Sequence, residues 1–123
     1  MAKPTHEDAV LLVQLAQLAA TSGVEEATSW LSSEEFTPDS KEFMERHPPG
    51  SAGNVKVTTV AVWYETVGTL YKHGLLNEEL LFDWLAVDLV WQRLEGLALL
   101  TREQTGDAKM FENFGAMAKA QRG

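Results

Sequence analysis

An apolar stripe between Asn54 and Gly74 constrains the fold of this chain more than any other feature of the sequence. Its members recur at steps of three and four: Val57, Val60, Ala61, Tyr64, Val67, Gly68 and Tyr71. Residues spaced in this way share one face of an α-helix, and glycine is typical of the position just past a helix end. The stripe predicts a helix over 55–73. Gly68 lies within it, where the missing side chain lets a neighbouring helix approach closely.

The turn after this helix indicates what packs beside it. The connection His73–Asn77 reads HGLLN, and Asn77 is a favourable N-cap with Glu78 and Glu79 in the following turn. A second helix is therefore predicted over 78–95, apolar on two sides, with Gly96 as a kink or an end. Helices joined by so short a turn are neighbours, which predicts a central antiparallel helix hairpin.

Helix-start signals recur along the rest of the chain, and no segment alternates apolar and polar residues as a strand would. Hydroxyl or carboxylate residues typical of N-caps open four further predicted helices, at Thr5, Ser22, Thr37 and Asp107. Segment 47–54, with two prolines and two glycines, is predicted to be an internal loop. The tail 119–123 is predicted to fray. The pattern is typical of a single all-α domain over 1–123, a bundle of five to seven helices.

Composition limits the partners and compartments that this chain can have. The 123 residues include no cysteine and carry a net charge of −8, with ten scattered Lys and Arg residues. Nucleic-acid binding needs clustered basic residues, and the most apolar run is interrupted by Asp83, Asp88 and Arg93. We therefore expect a soluble, cytoplasmic protein that binds neither nucleic acid nor membranes.

Sequence motifs for metal, phosphate or nucleophilic chemistry are absent. His6, His47 and His73 are far apart and form no HExxH motif. PPGSAGN lacks the features of a phosphate-binding loop, and no serine stands in a nucleophile-elbow setting. No metal, cofactor or catalytic residue is predicted.

Three carboxylates lie among aromatic and aliphatic residues: Glu65, Asp83 and Asp88. In one interpretation Glu65 faces one of the aspartates across the helix pair and works as an acid or base. In the other, which we favour, each carboxylate pairs with Arg93, Arg102 or a tyrosine hydroxyl and fixes the angle between helices. We expect Glu65 to hydrogen-bond a Trp, Tyr or Arg near the hairpin's partner helix.

The aromatic residues have two interpretations as well. Aromatic residues at helical spacing are commonly core, yet clefts between bundle helices also bind small molecules. Solid packing of the tryptophans would favour a core, whereas a void beside them would favour a pocket. The candidate ligand-binding residues in the second interpretation are Trp63, Tyr64, Glu65, Asp83, Trp84, Asp88 and Trp91.

The C-terminal half resembles a family of small helical bacterial proteins known only as a domain of unknown function. The residues that carry the resemblance are Tyr64-Glu65, Gly68, Gly74-Leu75-Leu76, Glu79-Leu80, Phe82-Asp83, Trp91, Arg102 and Phe111-Glu112-Asn113-Phe114. A Trp-Leu-Ser-Ser-Glu-Glu-Phe segment at 30–36 adds a weaker likeness. The resemblance implies an all-α fold and implies no reaction, cofactor or catalytic residue.

Apolar residues cover most of the first helix, leaving a narrow polar strip at Gln14 and Gln17. A single core-facing stripe needs much less apolar surface. We therefore expect a non-catalytic protein-interaction module that forms a homodimer, with the first or fifth helix at the interface. The alternative is a small-molecule-binding or hydrolytic helical protein that uses an aromatic cleft with Glu65 and Asp83 or Asp88.

Overall fold

A computed structural model describes residues 2–123 and confirms the all-α prediction, with no strand in that range. The helices are α1 (His6–Ser22), α2 (Val24–Trp30), α3 (Ser40–Arg46), α4 (Ala52–Lys72), α5 (Glu78–Trp84), α6 (Val87–Thr105) and α7 (Glu112–Arg122). Over the same residues, no helix combines the length and apolarity needed to cross a membrane.

Two of the predicted helix starts are confirmed in full, at Thr5 and at Asn77, whose Oδ1 accepts from the Leu80 amide at 3.1 Å and caps α5. Thr5 and Asp8 form a capping box at α1, with the Thr5 amide donating to Asp8 Oδ2 at 2.8 Å and the Asp8 amide donating to Thr5 Oγ1 at 3.1 Å. Ser22 does not cap α2, because its hydroxyl donates back to the Leu18 carbonyl and Gly23 occupies the N-cap. The shared glycine, at φ 82°, ends α1 and starts α2 without an intervening loop.

Three other predicted boundaries are wrong by a few residues. Helix α3 is capped by Asp39 rather than Thr37. Ser51 caps α4, so the helix takes the last three residues of the predicted loop 47–54. Helix α7 starts after Phe111 instead of Asp107, whose carboxylate accepts from the Lys109 amide in a turn. At the other end α7 continues to Arg122 and includes most of the segment 119–123 for which fraying is predicted.

The predicted helix 78–95 is two helices, with a break at Leu85 and Ala86. Leu85 is extended (φ −112°, ψ 132°), and Gln121 of α7 bonds the backbone on both sides of the break. Its Nε2 donates to the Leu85 carbonyl at 2.7 Å, and its Oε1 accepts from the Asp88 amide at 2.9 Å. A side chain distant in sequence thus stabilises a break that no local proline or glycine predicts.

The second arm of the predicted antiparallel hairpin is therefore interrupted, and the turn after α4 leads first into the short helix α5 and then into α6. Helix α5 contacts α4 through aromatic side chains: Trp84 meets Trp63 edge-on at 5.8 Å, and Phe82 meets Tyr71 at 5.5 Å. Helix α6 then continues as one helix from Val87 to Thr105, so Gly96 does not end it. A Cβ at Gly96 would lie 3.0 Å from the Pro38 carbonyl oxygen, so this glycine permits a close contact with the segment before α3.

Helix α4 is the central element of the bundle. It packs most extensively against α7 and α2, while α7 also packs along α6. The predicted stripe faces this core, where Val60 and Val67 have no exposed surface. The opposite side of α4 is open, and both sides contribute to the sites described next.

Candidate functional site

Glu65 is a helix cap supplied from another helix. The N-cap of α7 is Phe111, whose side chain cannot accept hydrogen bonds. Glu65 of α4 takes over this role: Oε1 accepts from the Phe114 amide and Oε2 from Asn113 Nδ2, each at 2.8 Å. A carboxylate at a helix N-terminus satisfies an otherwise free amide and interacts favourably with the helix dipole. The expected Trp, Tyr or Arg partner is wrong, and the structural interpretation of Glu65 is the one that the geometry supports.

Gly68 lies one turn further along α4 and explains how α7 comes so close. A Cβ at this position would lie 2.7 Å from both the carbonyl carbon and the carbonyl oxygen of Asn113. Those are backbone atoms, which cannot rotate away as a side chain can. The predicted close approach is therefore present, and the neighbour is the start of α7.

An aromatic stack completes this junction. Phe114 has no exposed surface; Tyr64 stacks on it at 4.9 Å with an interplanar angle of 17°, and Trp91 meets it edge-on at 4.9 Å. Burial raises the pKa of Tyr64 to about 12. We call Tyr64, Glu65, Gly68, Asn113 and Phe114 the α4–α7 junction. The residues of the α4–α7 junction account for much of the family resemblance in the sequence. The family pattern therefore has a packing role in this chain.

Arg102, also part of that pattern, binds a carbonyl instead of a carboxylate. Its Nε donates to the Met110 carbonyl at 2.7 Å, which anchors the segment between α6 and α7. The next residue, Phe111, is the one non-glycine residue at positive φ (58°) among residues 2–123. A bulky residue is uncommon in this region of backbone space, and such strain persists only where neighbouring contacts impose it. Arg102 and Glu65 supply those contacts on either side of Phe111.

The aspartates lie apart from Glu65. Asp83 is exposed on α5. Asp88 Oδ2 accepts from Gln92 Nε2 at 2.9 Å, and Oδ1 lies 3.6 Å from Arg122 Nη1, an ion pair without a hydrogen bond. Neither pairs with Arg93, which donates to the Leu31 carbonyl. Glu65 forms no acid–base pair with either aspartate. Both of its oxygens are hydrogen-bonded to α7, whereas Asp88 is hydrogen-bonded to Gln92. Within residues 2–123, no three His, Asp or Glu side chains group as metal ligands would.

The predicted aromatic residues do not share one cavity. Trp63 is 5% exposed and edge-on to Tyr64 and Trp84. Its indole N–H has no acceptor among the described residues. Trp63 borders a groove beside α1, Trp91 borders a different cleft beside α6, and Trp84 borders a small crevice against α1 and α5. Tyr64, Glu65, Asp83 and Asp88 line none of the three.

The cleft beside Trp91 has a volume of about 400 Å³ and lies between α4 and α6, with side chains of α3 and of the segment before α7 also on its lining. We call it the α4–α6 cleft. Its lining residues are Phe43, Met44, Pro49, Asn54, Val57, Thr58, Ala61, Val62, Trp91, Leu94, Leu97, Ala98, Leu100, Thr101, Gln104, Met110, Phe111 and Phe114.

A second, more open depression of about 520 Å³ lies on the other side of the exposed face of α4. We call it the α1–α4 groove. Its lining residues are Leu18, Ser22, Val24, Asn54, Val55, Thr58, Thr59, Val62, Trp63 and Thr66. No ionisable side chain occurs among the described residues that line either cavity.

Sequence reasoning missed most of these lining residues because it followed the buried stripe of α4. A signal for the open face was present. Exposed helix positions favour Ala, Lys, Glu and similar residues, whereas Val55, Thr59, Val62 and Thr66 are all β-branched. The valines and threonines on the exposed face of α4 therefore indicate that this face has a role beyond contact with solvent.

A model of the family described as Domain of unknown function (DUF4760) matches residues 4–121, so the chain belongs to that family. The match confirms the resemblance to a domain of unknown function and extends it over both halves of the chain. No curated protein and no solved structure matches the chain.

Proposed function

We propose that this member of the DUF4760 family is a non-catalytic protein-interaction module that pairs with a second copy of itself through the α1–α4 groove. The observation that carries the proposal is the charge-free lining of the groove in a chain whose net charge is −8. Two strongly acidic copies repel each other, so a face that contains no like charges is the one best suited to self-pairing.

Exposed apolar side chains provide a driving force at this groove. Leu18, Val55 and Val62 are 48%, 55% and 52% exposed, and all three lie on its rims. Removing such surface from water is favourable in proportion to the apolar area covered.

The threonines of α4 make the face less polar than its sequence indicates. The hydroxyls of Thr58, Thr59 and Thr66 donate to carbonyls of their own helix at 3.0, 2.8 and 2.9 Å. Their hydroxyl protons are therefore not free for water or a partner. Since β-branched side chains are also stiff at χ1, holding them in an interface loses little side-chain entropy.

The shape of the surface suits two-fold pairing. In such a dimer the same patch meets itself, so a rim beside a groove can enter the partner's groove and receive the partner's rim in return. A standard interface covers about 800 Å² per partner, roughly a ninth of this chain's 7326 Å² surface. In the proposed dimer Leu18 places α1 at the interface, as we expect from the sequence, and α4 forms the opposite wall of the α1–α4 groove.

Light scattering at micromolar concentration tests the pairing. We expect a mass of twice the chain's 13.6 kDa and expect Leu18→Lys and Val55→Lys each to give a monomer. Either substitution changes the net charge from −8 to −7 and thereby weakens general repulsion, so dissociation would arise from burying an unpaired charge. Leu75→Lys is the matched control, because Leu75 is 58% exposed in the turn after α4 and should leave the dimer intact.

Two outcomes would overturn the proposal. One is a wild-type mass near that of a single chain throughout the micromolar range. The other is a dimer that survives both substitutions and is separated instead by Val13→Lys or Leu89→Lys. Val13 and Leu89 are 52% and 66% exposed on α1 and α6, and that result would place the interface on the outer face of α1 or on α6.

A further inference from the structure

The α4–α6 cleft reaches the aromatic core of the molecule. Its floor includes Trp91, Leu94, Ala98 and Phe114, each at most 5% exposed. A volume of about 400 Å³ lies within the range of small-molecule sites, which are typically apolar with few polar groups. Unlike the α1–α4 groove, this space is sunk between helices and is walled by side chains of α3 and of the segment before α7.

The polar groups on the lining are mostly occupied. Thr58 and Thr101 donate to carbonyls of their own helices, and Asn54 Nδ2 donates to the His47 carbonyl. The Gln104 side chain, in contrast, makes no hydrogen bond to the described part of the chain. A charged ligand group inside the cleft would find no counter-ion on the lining and would lose solvation, and an anionic group at the exposed end would be repelled by a chain of net charge −8. The chemistry therefore selects an uncharged apolar molecule with a hydrogen-bonding group at one end.

The lining along α6 gives the cleft a direction. It extends from Trp91 to Gln104, roughly 20 Å of helix at 1.5 Å per residue. The Trp91 end is buried, whereas Gln104 is exposed. A lining that extends along α6 from a buried apolar end to an exposed polar end suits an extended chain better than a compact ring.

The wall of the cleft contains flexible side chains and one residue whose backbone is held in place. Met44 and Met110 line the cleft, and methionine side chains adjust to irregular apolar shapes. Phe111 also lines it, held at positive φ between the Arg102–Met110 and Glu65–Phe114 hydrogen bonds. The strained residue is thus one that places an aromatic ring on the cleft wall.

We propose that the α4–α6 cleft binds the alkyl chain of an uncharged, medium-length amphiphile, with the tail against Trp91 and the polar end at Gln104. The proposal names a small-molecule site that uses none of the acidic residues and does not depend on self-pairing.

Fluorescence titration with the neutral probe N-phenyl-1-naphthylamine tests this site, followed by displacement with octan-1-ol, decan-1-ol and dodecan-1-ol. We expect saturable probe binding with a change in tryptophan emission. Affinity of the alcohols should rise by about fourfold for each methylene added while the tail still fills the cleft. Trp91→Phe should remove most of the emission change, whereas Trp63→Phe should keep it.

A cavity-filling substitution supplies the decisive comparison. Ala98→Leu places a larger side chain on the floor and should weaken probe binding by at least about tenfold, with Ala61→Leu as a second blocking variant from the α4 wall if the first does not fold. Ala116→Leu, on the exposed side of α7, is the matched control and should bind like wild type.

Absence of saturable binding, or equal binding by wild type and a folded blocking variant, would overturn the proposal. Light scattering on the same samples separates this result from self-pairing. Val55 lines only the α1–α4 groove, so Val55→Lys should bind the probe whether or not it is a monomer.

Discussion

The two faces of α4 differ sharply although they belong to one helix. On the inner face Glu65, Gly68 and Tyr64 meet the start of α7 through hydrogen bonds, a backbone contact and a stacked ring. On the outer face Val55 and Val62 are about half exposed between two charge-free cavities. The inner face is closed by a partner within the chain, whereas the outer face has apolar surface and no partner within residues 2–123. The contacts that hold the bundle together are thus concentrated on the inner face of α4, and the two binding surfaces that we propose lie along its outer face.

Gly68→Ala should give the largest effect, because it acts where the inner face is tightest. The new methyl group would lie 2.7 Å from backbone atoms of Asn113, so α7 must move. Overpacking of this kind typically lowers stability by about 1–3 kcal/mol, and rigid backbone puts it at the upper end. The gain of roughly 1 kcal/mol in helix propensity offsets part of that loss. Urea unfolding should therefore show a net loss of about 2 kcal/mol.

The control for that prediction is Thr66→Ala on the outer face of the same helix. It removes an exposed residue whose hydroxyl bonds only its own helix, and its effect should stay within about 0.5 kcal/mol. Similar effects from the two substitutions would contradict the distinction between the faces.

Glu65→Ala should give the second-largest loss in the free energy of unfolding. It leaves the Phe114 amide without its acceptor and removes a partner from Asn113, and losses of this kind amount to about 1–2 kcal/mol. Glu65→Gln keeps one acceptor oxygen but removes the charge that favours a helix N-terminus, so its loss should be about half as large. Hydrogen exchange should speed up most at the first amides of α7. An unchanged exchange rate there would show that Glu65 does not act as its cap.

Tyr64→Phe should have the smallest effect, and only in alkali. Burial raises the pKa of Tyr64 from 10.0 to about 12, so between these values the unfolded chain loses the phenol proton while the folded chain retains it. The stability contributed by neutral Tyr64 is complete below pH 10 and is lost as the pH rises toward 12. By about pH 11 the wild type should have lost on the order of 1 kcal/mol that the variant keeps.

Urea unfolding of both proteins at neutral and alkaline pH measures that difference. The pKa of Tyr71, raised by burial and by the hydrogen bond to Glu78, contributes equally to both proteins and cancels. Parallel loss of stability in wild type and variant would show that Tyr64 ionises as freely in the folded state as in the unfolded chain.

Sequence signals predict the structure correctly where the interactions themselves are local. The capping box of Thr5 and Asp8 involves residues three apart, and the buried stripe of α4 depends on a fixed helical period. Helix starts were misplaced where several candidate caps stood close together, as with Thr37 and Asp39 before α3. Sequence alone could not rank them, since each can accept a hydrogen bond from a nearby amide.

The sequence by itself determined that this chain forms helices, where most of them lie, and that Gly68 receives a close neighbour. It did not determine which neighbour. Glu65 caps α7 and Gln121 stabilises the break before α6 through hydrogen bonds 49 and 36 positions apart in the chain. The tertiary structure also separated Trp63 from Trp91 and left the outer face of α4 uncovered. Periodicity fixes which residues share a face, but only the packing of the helices within residues 2–123 decides which faces meet, because burial is a property of the assembled bundle.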